Sequence, residues 1–337
     1  RMVRELPKQA DKLKACTGII TQDPGLTSIL QTLPAVARSD STVLLEGESG
    51  TGKGLMARAL HRQSTRKDGP LVEINCGALP DQLLESELFG YKAGAFTGAN
   101  HDKPGRVTAA ERGTLFLDEI CDLPLLLQVK LLRLLEERLY EPLGDVRSVP
   151  ADVRIVAASN QDLLKLVDEG RFRRDVYYRL SVIRLEIPPL RKRPGDVPLL
   201  AGAFLRRLSM NRGKVVEHVS DAVMERLMVY EFPGNVRELH NLLEHAYVMT
   251  SEPRIELGNL PPWFLDRCPG GAPCRRKGLE DAEARAVLET LARNGWNRRE
   301  AARDLEIHKS TLYRKIRRLG IELPPRDGRS QRKRRAD

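Results

Sequence analysis

The feature that most limits what this chain can fold into is a glycine-rich signal at 47–53. Gly47-x4-Gly52-Lys53 follows directly on the apolar run 42–46 and opens a helical pattern through Leu55, Ala59 and Leu60. Strand, glycine-rich turn and helix in that order make a phosphate cradle. Glycines let successive backbone N–H groups face phosphate oxygens, the helix N-terminus adds partial positive charge, and the lysine reaches the outer phosphates. Such a unit needs a parallel sheet behind it. Further short apolar runs stand at 71–74, 114–117, 154–158 and 182–187, most of them separated by helical stretches. Alternating strands and helices imply an α/β fold, a parallel sheet with helices on both faces.

A second motif completes the first. Leu115-Phe116-Leu117 delivers Asp118 and Glu119 to the C-terminal end of a strand, where α/β sheets place ligands. Asp118 suits a Mg²⁺ ion, and Glu119 suits polarising an attacking water. Acidic residues also favour a helix's first turn for plain electrostatic reasons. Beside a phosphate cradle the pair instead implies nucleotide hydrolysis. The cradle pattern usually ends in Ser or Thr; Gly54 stands there, so Mg²⁺ is expected to keep an additional water.

Beyond Pro188-Pro189 the periodicity changes. Three helical patterns, about 196–210, 220–230 and 235–249, follow with no strand expected between them. Residues 264–278 are rich in Pro and Gly and read as a linker, and a further helical unit spans about 279–319. The expected division is a leading linker at 1–17, an α/β subdomain at 18–187, a helical subdomain at 188–262, a linker at 263–278, a small helical domain at 279–323 and a basic tail at 324–337. Residues 1–17 are read as the end of a linker from an upstream regulatory domain.

Charge supports that division. The net charge is +10, yet residues 275–337 hold 19 Lys and Arg against 10 Asp and Glu. A nearly neutral body thus carries a strongly basic end, which points to nucleic acid, a solvated basic tail being the plainer alternative. No apolar run is long enough to span a bilayer. Five scattered cysteines (16, 76, 121, 268 and 274) argue against a disulfide framework and for a reducing cytoplasm. Cys268-x5-Cys274 lacks metal-binding partners nearby, and the six histidines show no ligand spacing; His240 and His245 read as ordinary helix residues.

Between the two nucleotide motifs stand ESELFG (85–90) and GAFTGA (94–99). This segment resembles that of bacterial enhancer-binding proteins, the NtrC-like AAA+ ATPases that act on sigma-54 RNA polymerase. GESGTGKG (47–54), NCGALP (75–80), GTLFLDEI (113–120), FRRDVYYRL (172–180), PPLRKR (188–193) and FPGNVREL (232–239) extend the resemblance over about 17–320. It implies an AAA+ P-loop sheet domain with a helical lid, ATP and Mg²⁺ as ligands, a cytoplasmic location, and a homo-oligomer, expected as a hexamer built from dimers.

Residue by residue, the resemblance places the triphosphate on Gly47, Glu48, Ser49, Gly50, Thr51, Gly52, Lys53 and Gly54, and the adenine near Ile19 and Ile20. Asn75 resembles a switch that holds Glu119 until the γ-phosphate is sensed. Ser159-Asn160 resembles sensor I, and Arg237 the lid's sensor II arginine. Arg173 and Arg179 resemble arginine fingers that enter the neighbouring subunit's site, a task suited to a permanently charged planar fork of donors. Gly94, Ala95, Phe96, Thr97, Gly98 and Ala99 would form the loop that touches sigma-54, their glycines allowing large backbone movements. Departures from the family pattern are Gly54, Tyr91-Lys92-Ala93, Ser159 for Thr and Phe232 for Trp. A DNA-binding regulator of AAA+ fold that acts without remodelling sigma-54 is the alternative; the intact GAFTGA string weighs against it. A generic AAA+ unfoldase would not explain the C-terminal end.

That end reads as a helix-turn-helix resembling the Fis-type domain of the same family. Residues 298–305 form a first helix with Ala301 and Ala302 as small contacts, Glu306-Ile307 the turn, and 308–318 the second helix. Leu305, Ile307, Leu312 and Ile316 face the core. His308, Lys309, Ser310, Thr311, Tyr313, Arg314 and Arg317 are left for DNA, with dimeric binding to an inverted repeat in enhancer DNA as the geometric expectation.

Overall fold

The computed structural model describes residues 17–267, 290, 291, 293, 294, 296–305 and 312. The chain divides into two compact units, Arg1–Asp266 and Arg267–Asp337. In the first, helix α1 spans Pro24–Arg38. Asp23 caps it by accepting the Leu26 N–H at 2.8 Å, and proline occupies the first helical position, where a missing N–H costs nothing. Its other end is capped from afar: the buried Arg154 guanidinium donates to Ala37 O at 2.6 Å and Val36 O at 2.8 Å.

Next come β1 (Val43–Glu46), α2 (Lys53–Arg62), β2 (Leu71–Asn75), α3 (Asp81–Phe89), the short strands β3 (Gly90–Tyr91) and β4 (Lys103–Pro104), and α4 (Arg106–Ala109). They are followed by β5 (Thr114–Asp118), α5 (Leu125–Glu137), β6 (Leu139–Tyr140), β7 (Val149–Pro150), β8 (Arg154–Ser159), α6 (Leu163–Asp168), α7 (Arg174–Leu180) and β9 (Ile183–Glu186). The main sheet is parallel, in the order β2-β5-β8-β1-β9. The five strands are those expected from the apolar runs.

Alternation within the strands explains the layers. Val43 and Leu45 of β1 and Phe116 of β5 pack with Leu26, Leu30, Met56 and Leu60 of α1 and α2. Leu44, Leu115 and Leu117 face the other way, onto Leu84, Leu88, Leu131 and Leu134 of α3 and α5. Every residue of the central β8 is buried, as a strand covered on both faces requires. In register, Glu46 pairs with Ser159, Leu117 with Ala157, and Asn75 with Asp118, so the strands' C-terminal ends meet along one edge.

The helical subdomain contains α8 (Asp196–Arg212), α9 (Asp221–Val229) and α10 (Asn235–Met249). It is not purely helical: β10 (His218–Val219) pairs in parallel with β11 (Arg254–Ile255). Two-residue strands are too short to leave a periodic signal, which is why none was expected there. The linker expected to begin at 263 is also corrected, since α11 (Pro262–Arg267) occupies its start. Phe264 is fully buried there, its ring 5.0 Å from that of Tyr230.

In the second unit, α12 (Arg298–Asp304) matches the first expected helix of the helix-turn-helix. Ala301 and Ala302 are buried with Leu291 and Leu312, and Trp296 and Leu305 pack against them. Ile307, Ile316, His308, Lys309, Ser310, Thr311, Tyr313, Arg314 and Arg317 lie outside the described residues, as do Cys268 and Cys274. Among the described residues no helix is long and apolar enough to cross a membrane.

Candidate functional site

The strand ends and the helical lid enclose two adjoining cavities. One, of about 300 Å³, is largely apolar; Gly18, Ile19, Ile20, Leu55, Leu200 and Phe204 are among its lining residues. The other, of about 270 Å³, is the more polar of the two, and Ser49, Lys53, Gly54, Asp118, Glu119 and Arg237 lie on it. Gly52, Leu55, Phe204 and Val236 border both, so the two form one cleft. This is the division an amphiphilic ligand with a flat apolar end and an anionic end would need.

The polar cavity is bordered by the loop after β1, the end of β5 and the helical lid. β1 runs into the 47–54 loop, and Gly47 N–H donates to Ser159 O at 3.2 Å, tying the loop to β8. Lys53, buried at the start of α2, donates to Gly47 O at 2.6 Å and Glu48 O at 3.0 Å. Burial lowers its pKa, partly opposed by Asp118. Burial likewise raises that of Asp118, with the Glu119 N–H pulling the other way through a 3.0 Å hydrogen bond. Both groups thus carry a desolvation cost that a bound cation beside Asp118, or an anion beside Lys53, would relieve.

Glu119 sits at a φ of 53°, uncommon for a residue with a side chain. Its carboxylate lies over Gly77: a Cβ there would be 3.0 Å from Glu119 Oε2 and 2.8 Å from Asp122 Oδ2. Asn75 is at the same spot, its Oδ1 accepting the Gly77 N–H at 2.8 Å. Asn75 and Glu119 therefore converge on one glycine. Asn160 follows the end of β8, and its Oδ1 accepts from the Cys121 thiol at 3.1 Å.

The lid meets the loop at Gly50, which leaves no room for a side chain: an added Cβ would overlap Gly234 O. Arg237 donates to Ser49 Oγ at 2.9 Å, and Val236 N–H to Gly50 O at 3.0 Å. Several residues here were not singled out from sequence. Asn235, fully buried with a φ of 53°, donates to Glu48 Oε2 at 3.1 Å and Ser49 O at 3.0 Å and accepts from Leu190 N–H at 2.8 Å. Arg191 grips Glu48 with two bonds of 2.7 and 2.5 Å and holds its pKa down at about 2. The buried Arg193–Asp196 pair anchors the segment that follows Ile19 and Ile20, Asp196 accepting from Thr21 Oγ1 and Gln22 N–H at 2.7 Å each. His240, on α10, borders the polar cavity and packs edge-on against the Phe204 ring. Only the FPGNVREL and PPLRKR strings hinted at these roles, and a single sequence shows no polar contacts across 140–190 positions.

Arg173 and Arg179 do not border the cleft of their own subunit. Arg173 precedes α7 and pairs with Asp175 at 2.7 Å; Arg179, in its last turn, pairs with Glu136 at 2.7 Å, both in solvent. The 94–99 loop also stands apart from the cleft, carried by the β3–β4 hairpin. Gly94 N–H donates to Ala99 O at 2.8 Å, closing the loop's base, and Gly94 and Gly98 have φ values of 85° and 101°. Phe96 is 45% exposed, touching the Tyr91 ring edge-on at 4.9 Å. Among the described residues no group of three or more His, Cys, Asp or Glu is placed to hold a metal ion.

A phosphate-type loop, an Asp-Glu strand end and a helical lid closing on one cleft define the AAA+ P-loop NTPase class. The comparisons with known proteins agree. Residues 19–186 match the sigma-54 interaction domain, 191–273 the AAA+ ATPase lid domain, and 278–319 the Fis family of bacterial regulatory proteins. The transcriptional regulatory protein ZraR of Salmonella typhimurium is 45% identical over 305 residues, covering 89% of this chain and 68% of ZraR. The response regulator protein PilR of Pseudomonas aeruginosa is 40% identical over 327 residues, covering 93% and 72%. Among solved structures, NtrX from Brucella abortus in complex with ADP superposes with a TM-score of 0.72 at 31% identity, over 95% of this chain and 74% of NtrX. The chain belongs to the family of sigma-54-dependent transcriptional activators.

Proposed function

We propose that this chain is an ATP-hydrolysing activator that binds upstream enhancer DNA and remodels the closed complex of sigma-54 RNA polymerase into the open one. The observation that carries the reading is the single cleft joining an apolar adenine-sized cavity to a polar one bordered by Lys53, Asp118, Glu119 and Arg237. NtrX, solved with ADP and with ATP, supports a nucleotide as the occupant.

In this reading the adenine lies against Ile19 and Ile20, and the 47–54 loop amides take the phosphates. Lys53 leaves its two carbonyl partners for the outer phosphates, where its charge is worth more. Glu119 orients the attacking water, Asn75 restrains it through the shared position at Gly77, and Asn160 and Arg237 read the γ-phosphate from β8 and the lid. Asp118, a half-buried carboxylate at the end of β5, fits Mg²⁺, which would neutralise phosphate charge there; Gly54 offers it no ligand. Arg173 and Arg179, exposed and remote from their own cleft, act on a neighbouring subunit's γ-phosphate in a homo-oligomer, expected as a hexamer. Loop 94–99 presents Phe96 and Thr97 to sigma-54, and the helix from His308 onward meets the DNA.

The exposure of Phe96 favours this reading over a regulator that leaves sigma-54 alone. The test is Thr97→Ala, assayed for ATP turnover and for open-complex formation on a sigma-54 promoter. Turnover within about twofold of wild type and a loss of open complexes of roughly a hundredfold are expected, since a deleted exposed contact leaves the cleft untouched. Wild-type open-complex formation by this variant would remove the loop from the mechanism.

A further inference from the structure

A buried thiol stands close to Lys53 and Glu119. Cys121 lies in the single helical turn Ile120–Asp122, immediately after Glu119. That turn folds back on the end of β8, and Cys121 is only 6% exposed. Its Sγ–H donates to Asn160 Oδ1 at 3.1 Å. The Ser159 hydroxyl and the Asn160 backbone N–H also face the sulfur. Burial raises the pKa of Cys121, so the group remains a protonated donor near neutrality.

The direction of this bond matters chemically. A side-chain amide has an accepting oxygen and a donating NH₂ group on opposite sides, and a half-turn exchanges them. Asn160 is useful against a phosphate only if the NH₂ group is presented. A donor held against the oxygen selects that orientation, and the thiol is such a donor. The neighbouring Ser159 hydroxyl already spends its proton on Gln161 O at 2.6 Å and accepts the Gln161 N–H at 3.1 Å. The bond also joins the turn that follows Glu119 to the end of β8, the strand between β1 and β5.

We propose that Cys121 is a positioning residue for ATP hydrolysis: its thiol holds the Asn160 amide with its N–H groups free for the γ-phosphate. The role rests on the ATPase reading above and assigns no chemistry to the sulfur itself.

The test uses the full chain and separates donor from volume. Cys121→Val keeps the bulk and removes the donor; Cys121→Ser keeps a donor. Each is made alone and in an Asn160→Ala background, with kcat and KM for ATP measured and folding followed by thermal unfolding. Cys121→Val should lower kcat about tenfold, ~1.4 kcal/mol of barrier, with KM within about twofold. Cys121→Ser should stay within about threefold of wild type. In the Asn160→Ala background, Cys121→Val should change kcat by less than about twofold, because the amide it positions is gone. If Val overpacks the turn and lowers the unfolding temperature, Cys121→Ala replaces it with the same expectations.

Full kcat in Cys121→Val, equal damage from Ser and Val, or an undiminished effect in the Asn160→Ala background each overturns the positioning role while leaving the ATPase reading intact. A wild-type chain that does not turn ATP over overturns that reading and the positioning role with it.

Discussion

The nucleotide cleft and the 94–99 loop are held by opposite means. At the cleft, polar groups are buried and multiply bonded: Asn235 makes three hydrogen bonds, and Arg193 and Asp196 are nearly inaccessible. At the loop, the polar contacts lie in solvent. Lys92 pairs with Asp102 at 2.6 Å, Asp102 also accepts the Ala93 N–H at 2.9 Å, and Phe96 rests on a single ring. Buried networks are costly to break and fix one geometry, whereas exposed pairs are worth little and let go easily. A chemical centre benefits from the first property and a moving contact surface from the second.

The harshest challenge to the cleft is Lys53→Ala. It removes the only ammonium bordering the polar cavity among the described residues. ATP affinity should fall roughly a hundredfold or more, as expected for losing charge-assisted bonds worth ~3 kcal/mol together. The fold should survive, because the lysine's present partners are carbonyls of its own loop. Fluorescent-nucleotide titration measures this, and near-normal affinity would mean that the phosphates bind elsewhere.

Asn235→Ala probes the lid side. Three hydrogen bonds of a buried side chain disappear and alanine must take a left-handed backbone, for a combined cost of about 3 kcal/mol. Asn235→Gly relieves the backbone part and should recover about 1 kcal/mol. Urea unfolding of both variants checks this; equal losses would show that backbone conformation plays no part.

A smaller effect is expected from Glu48. Hydrogen bonding to Arg191 is the main cause of its depressed pKa, about 2 against an ordinary 4.5, with burial opposing. A depressed carboxylate contributes stability that is present above 4.5 and lost as the pH falls from there toward 2. Glu48→Gln should therefore lie below wild type in thermal stability at pH 6 and converge with it through that window. Parallel curves would show that the clamp between loop and lid contributes nothing measurable.

Much of this contrast was legible in the sequence, and the missing part has a physical reason. The five sheet strands are short, mostly apolar runs, and three of them (43–46, 114–118 and 183–186) end close to a glycine, an acidic residue or a proline, so the pattern marks them. Lys53, Asp118 and Glu119 announce themselves because phosphate chemistry demands fixed residue types at short spacing. Asn235, Arg191 and Arg193 do not, because their partners are far along the chain and asparagine or arginine in a helical subdomain is commonplace. Cys121 is a similar case: nothing in 113–122 indicates that its thiol faces Asn160. The β10–β11 pair was invisible because two residues cannot show alternation.

The smallest expected effect tests the loop side. Asp102→Ala removes both the Lys92 ion pair and the acceptor for Ala93 N–H, the two polar contacts that tie Asp102 to the residues between β3 and the loop. Both carboxylate and ammonium stand in solvent, so thermal stability should be unchanged within error, and ATP turnover should match wild type. What should change is the loop's freedom. Backbone amide exchange at 93–99 should accelerate severalfold, since local opening is governed by few, exposed bonds. Amide exchange read by mass spectrometry distinguishes the outcomes. Unchanged exchange would place the restraint in the Tyr91–Phe96 contact and the Gly94–Ala99 bond instead. A drop in turnover would show that the loop is coupled to the cleft even in the isolated chain, and the contrast between a fixed centre and a loosely held surface would have to be redrawn.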